Sequence, residues 1–77
     1  MTRHHSHTLD DLPESTTAVI HANSDRRSRE MGLTAGTAVR MQRNHRSDSA
    51  VIVAAGEARL VVSRVIARTI RLGDCRI

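Results

Sequence analysis

Seventy-seven residues carry a formal net charge of +4, with no lysine among the twelve basic residues and no Phe, Tyr or Trp. One domain fits this length, and its core is confined to Val, Ile, Leu, Met and Ala. About a dozen such residues, at roughly 1.5–3 kcal/mol each when fully buried, hold a small barrel with little stability to spare. The missing aromatics exclude base stacking, worth about 1–3 kcal/mol per base, as a route to nucleic acid and leave only salt-sensitive phosphate contacts.

The twelve arginines are scattered along the chain, which reads as a solvated surface and not as a specific nucleic-acid reader. No apolar run approaches the roughly 18 residues needed to span a membrane, and the N-terminus has no signal-peptide core. The expectation is a soluble cytoplasmic protein. A single cysteine, Cys75, forbids an internal disulfide, fits a reducing compartment and reads as a free thiol.

Residues 1–8 form a polar, His-rich tail (His4, His5, His7) that is expected to be disordered and dispensable. Leu9 and Leu12 are the first apolar anchors, and Pro13 imposes an extended entry. Residues 16–21 are β-branched and predict a first strand, which residues 23–25 break. A short helix follows over residues 26–30, capped by Ser24 or Asp25 and stopped at Gly32. Thr34-Ala35-Gly36 makes a reversal with Gly36 suited to the third position of a type II turn. Val39 and Met41 then alternate with Arg40 and Gln42, the period of a half-buried strand over residues 37–43.

Residues 44–49 are a polar loop. Residues 50–54 and 59–62 are two strands of a hairpin turned at Gly56. Ser63 caps one helical turn through residues 65–67, and residues 69–72 are the last strand, ended by Gly73. No repeat, linker or low-complexity segment interrupts the chain. The core expected from this pattern is Val19, Met31, Leu33, Val39, Met41, Val51, Val53, Leu60, Val62, Ile66, Ile70 and Leu72.

Catalytic chemistry finds no foothold. There is no nucleophile elbow and no phosphate-cradling Gly-rich loop, and Asp10-Asp11 reads as a solvated turn. The chain is therefore read as a non-enzyme without cofactor. His4, His5 and His7 are close enough in sequence to meet one ion, but ordering a flexible tail costs entropy. Without Met1, the run Thr2-Arg3-His4 suits square-planar Cu(II) or Ni(II) and not Fe(II). His21 and His45 lack the carboxylate partner of a two-His-one-carboxylate Fe(II) site. No metal site is assigned.

The wording of residues 29–44, REMGLTAGTAVRMQRN, resembles the motif of the FeoA family, small proteins of bacterial ferrous iron uptake. Met31-Gly32-Leu33 and Gly36 fall in register with it, and Val39 and Met41 occupy its strand positions. Leu9-Asp10-Asp11-Leu12-Pro13 resembles the family's opening, and Gly56, residues 60–62, Ala67 and residues 70–72 resemble its closing strands. The likeness spans residues 9–72. It departs where Ala35 replaces the family's common Pro, in the loop at residues 46–50, and at Ser63.

From the residues alone the fold class is a small β-rich domain. The resemblance implies a mainly β, SH3-like barrel of about five strands with one short helix, covering residues 9–77. It further implies an accessory protein that docks on a FeoB-like GTP-binding membrane transporter of Fe(II) from the cytoplasmic side. Homo-oligomerisation stays open. The alternatives are a small barrel holding nucleic acid through its arginines, or a stand-alone relative of the C-terminal domain of metal-dependent transcription regulators. Such a regulator would need an upstream DNA-reading domain, for which this chain has no room. The candidate partner-binding residues are Arg29, Met31, Leu33, Ser63 and Arg64, an apolar bend with a charged rim. Met31 and Leu33 serve equally well as simple core residues.

Overall fold

The computed structural model describes residues 7–76, with side chains through Gly73. In chain order the elements are β1 (His7–Thr8), a 3-10 turn at Leu9–Asp11, β2 (Thr17–Asn23), α1 (Arg26–Glu30), β3 (Ala38–Arg43), β4 (Ala50–Ala55), β5 (Ala58–Ser63), α2 (Arg64–Ala67) and β6 (Ile70–Arg76). The strands form one antiparallel sheet in the order β1-β6-β2-β3-β4-β5, curled around a single core. The fold is mainly β, as expected, with six strands instead of five, and α1 and α2 fall where the short helix and the Ser63-capped turn are expected. The extra strand is β1. His7 and Thr8, assigned to the tail by sequence, pair with Leu72 and Arg71. His4, His5 and the thiol of Cys75 lie outside the described residues.

The core runs from Leu9 and Leu12 through Ala18, Ile20, Leu33, Val39, Met41, Val51 and Val53 to Val62, Ala67, Ile70 and Leu72. Leu60 and Ile66 pack against it partly buried. Two expected core members are corrected. Val19 is 39% exposed, because β2 presents Ala18 and Ile20 inward and a strand alternates faces residue by residue. Met31 is 48% exposed, for a reason given below. Gly73 does not end the last strand either. Ala18 pairs with Cys75 and Ile20 with Leu72, so β6 has one residue more than β2 over this interval. Gly73 falls within that bulge, where a missing side chain suits the irregular backbone.

Local chemistry explains both reversals around α1. Asp25 caps the helix, its carboxylate accepting the Ser28 N–H at 2.8 Å. At the other end the Gly32 N–H reaches the Arg29 carbonyl and the Leu33 N–H reaches the Ser28 carbonyl, both at 3.0 Å. This pair of bonds is a Schellman stop, and it needs the positive φ of Gly32, +109°. The Thr37 N–H then bonds the Thr34 carbonyl at 3.0 Å, closing a turn with Gly36 at φ +91° in the third position, as a type II turn requires.

The cap has a pH signature. Hydrogen bonds from the Ser28 main chain and side chain hold the Asp25 carboxyl below the usual carboxylate range, helped by the charges of Arg27 and Arg29. A depressed folded-state pKa contributes stability at neutral pH, and that contribution is lost as pH falls through the folded value. Melting of the unaltered chain is therefore expected to fall more steeply below pH 4 than melting of Asp25→Asn, which caps without titrating. Parallel acid profiles for the two would remove this role.

Candidate docking groove

Asn23 sets the geometry of the site. It ends β2, is buried, and uses both faces of its amide. Nδ2 donates to Ser28 Oγ at 2.9 Å and to the Leu33 carbonyl at 2.7 Å, while Oδ1 accepts the Asp25 N–H at 2.9 Å. One side chain thus ties the cap, the buried middle and the exit of α1 to the sheet. With the exit fixed, the Schellman turn sends Leu33 into the core, fully buried, and leaves Met31 at the surface. That is why two apolar residues flanking one glycine have opposite fates.

Across from this bend lie the end of β5 and the start of α2. The two sides bound a shallow, mainly apolar groove with about 110 Å³ of free volume, lined on one side by Asp25, Arg27, Met31 and Leu33 and on the other by Val61, Val62 and Ile66. Ser63 also reaches it, although its Oγ is occupied in capping α2 through the Ile66 N–H at 3.2 Å. Val61 is 68% exposed, and Val65 stands equally open on α2.

Of the residues singled out by sequence, Met31, Leu33 and Ser63 are brought together here. Arg29 is exposed on α1 but does not line the groove, and Arg27 does. Arg64 points elsewhere. Its Nε donates to the Asp48 carbonyl at 3.0 Å and its Nη2 to the His45 carbonyl at 2.7 Å, pinning the β3–β4 loop. It borders a separate polar cleft with Asp10, Asp11, Asn44 and Arg46. Asn44 closes the other end of that loop, donating through Nδ2 to the Asp10 and Leu12 carbonyls at 3.0 and 2.9 Å. Arg64 is a structural clamp in this arrangement, a role that loop carbonyls create and spacing cannot reveal.

Sequence reasoning missed Asn23, read as a strand breaker, and Val61. The run Leu60-Val61-Val62 did carry a signal for the latter, since three apolar residues in a row must place at least one on the outer face. Among the described residues no group of three His, Cys, Asp or Glu side chains comes together as a metal site. His45 sits 3.6 Å from Glu14, and His21 stands apart on β2.

A small, curled, mainly β sheet of this topology is an SH3-like domain, and solved structures place it more narrowly. A zinc complex of FeoA from Stenotrophomonas maltophilia, described as a procaryotic SH3 domain protein, superposes with a TM-score of 0.78 at 28% identity, covering 87% of this chain and 89% of that one. An iron uptake regulatory protein, also a FeoA, matches with a TM-score of 0.77 at 17% identity over 88% and 94% of the two chains. A manganese-dependent transcriptional repressor matches with a TM-score of 0.78 at 16% identity over 87% of this chain but only 40% of its own. The last two likenesses carry the fold alone. A comparison with curated proteins gives no match.

The family model described as the FeoA domain matches residues 7–72, nearly the whole chain, and this chain belongs to that family. It is an SH3-like protein associated with ferrous iron transport. No helix among the described residues is long and apolar enough to cross a membrane.

Proposed function

We propose that this chain is a non-catalytic accessory of ferrous iron uptake that docks on the cytoplasmic side of a FeoB-type GTP-binding Fe(II) transporter and modulates it. The observation that carries the reading is the groove between the Schellman bend and the end of β5. It combines an exposed Met31 and Val61 with a buried, rigid floor at Leu33 and Val62. Flexible, polarisable Met beside branched apolar residues suits partner recognition, and a fixed floor lowers the ordering cost of binding. The S. maltophilia relative, similar in sequence and fold, is described as a candidate bacterial ferrous iron transport activating factor, which supports the same setting. Metal and nucleotide then belong to the transporter.

The test is Met31→Glu. Met31 is half exposed, so the variant should melt within about 0.5 kcal/mol of the unaltered chain. A charge at the centre of an apolar contact should weaken docking roughly tenfold or more. Transporter-dependent Fe(II) uptake in cells lacking the native accessory should fall accordingly. Full uptake supported by a folded Met31→Glu protein would remove the groove as the docking site.

A further inference from the structure

The groove has a second property that its apolar lining does not by itself explain. Val61, Val62 and Ser63 are consecutive in β5, yet all three border it. Successive residues of a strand point to opposite faces, so a cavity lined by three in a row lies along the strand's edge and not on either face. No β4 residue lines it, and β5 is the last strand of the sheet, paired on one side only. The groove therefore follows an open strand edge.

The register states which main-chain groups that edge offers. Ala55 pairs with Ala58 across a two-residue loop, and the ladder continues through Leu60 opposite Val53 and Val62 opposite Val51. A two-residue hairpin closes on a hydrogen-bonded pair, after which bonded and non-bonded pairs alternate. Ala58, Leu60 and Val62 accordingly bond to β4, and Arg59 and Val61 aim their N–H and C=O groups outward. Among the described residues no other backbone group bonds to either one. Both are exposed.

The geometry points to strand addition: β5 and its groove accept an extended, acidic segment of a partner protein, which pairs with the main chain of Arg59 and Val61. This deepens the docking reading and rests on it. Charge selects the occupant. Arg59 on the strand forms no ion pair among the described residues, unlike Arg26, Arg43 and Arg68. Arg27 at the groove, by contrast, lies within reach of the charge of Asp25, which also lines it. A second copy would bring a chain of the same +4 net charge against this edge, whereas a segment alternating apolar and acidic residues offers the groove an apolar side chain and Arg59 a carboxylate. Its apolar residues enter the groove beside Met31 and Leu33, and its carboxylates emerge on the opposite face next to Arg59.

An acetylated, amidated octapeptide of alternating valine and glutamate is the probe, titrated into the full chain with amide exchange followed residue by residue. Exchange at Arg59 and Val61 is expected to slow by at least about tenfold, and the same peptide with lysine for glutamate should bind about tenfold more weakly. Val61→Pro removes an outward N–H and none given to β4, so it should fold and lose the peptide. Peptide binding that leaves both amides unprotected, or no binding at all, overturns strand addition. Protection of the same amides on raising the chain's own concentration, without peptide, gives the edge to a second copy and overturns the acidic segment. Uptake separates the two readings. If Met31→Glu abolishes it and Val61→Pro preserves it, docking at the groove stands and strand addition falls. If both variants preserve it, both fall.

Discussion

Asn23→Ala is expected to lower the unfolding free energy by roughly 2–4 kcal/mol, a large effect for one polar residue. The substitution removes three hydrogen bonds at once, to Ser28 Oγ, to the Leu33 carbonyl and from the Asp25 N–H. Ser28 and Leu33 are themselves buried, so water cannot readily replace the lost partners. A neutral hydrogen bond contributes only about 0.5–1.5 kcal/mol net, but a buried group left unpaired costs about 1–3 kcal/mol. The second term decides the size of the effect. Asn23→Asp should be nearly as damaging, because it keeps the acceptor for Asp25 and places a carboxylate where the Leu33 carbonyl needs a donor. Urea denaturation of the three proteins measures this directly. A loss under about 0.5 kcal/mol for Asn23→Ala would show that α1 holds its place without the amide.

The same residue marks the boundary between what the chain reveals locally and what it does not. Asp25 as cap, Gly32 as helix stop, Gly36 in its turn and Ser63 as the cap of α2 are all legible, because each rests on neighbours a few residues apart. The strands from β3 to β5 are legible for a similar reason, since alternation and turn residues agree. The phase of β2 is not. Ala18 and Val19 both fit an inward position, and only pairing of Ala18 with Val39 on one side and Cys75 on the other decides between them. Gly73 looks like a terminator until β2 is laid beside it. Arg64 looks like a free rim charge until the β3–β4 loop folds back to supply two carbonyls. Half of the candidate site was therefore within reach of sequence: the bend with Met31 and Leu33 and the start of α2. For its opposite wall the apolar run Leu60-Val61-Val62 signals one outward residue, but that this wall faces the bend depends on where β5 ends in the sheet, which is a property of topology.

Leu33→Ala is expected to be the most destabilising of these changes, at about 2–5 kcal/mol. Leu33 is fully buried, and its backbone is fixed from two directions, by its N–H bond to Ser28 and by Asn23 on its carbonyl. The chain around it cannot easily collapse into the space left behind, so a cavity term adds to the lost transfer free energy. Domains of this size have total stabilities of about 5–15 kcal/mol, so the variant would lose a substantial fraction of the whole. Its melting temperature should drop by at least about 8 °C, at about 4–8 °C per kcal/mol for a chain this short. Met31→Ala is the informative companion. Two positions away and half exposed, it should change stability by no more than about 0.5 kcal/mol while weakening transporter docking. The pair thus separates support from contact within a single motif: Gly32 places one apolar residue under the groove and the other at its mouth. A thermal melt of Leu33→Ala within about 2 °C of the unaltered chain would mean that the bend adjusts freely. The groove would then lack the rigid floor on which the proposed docking rests.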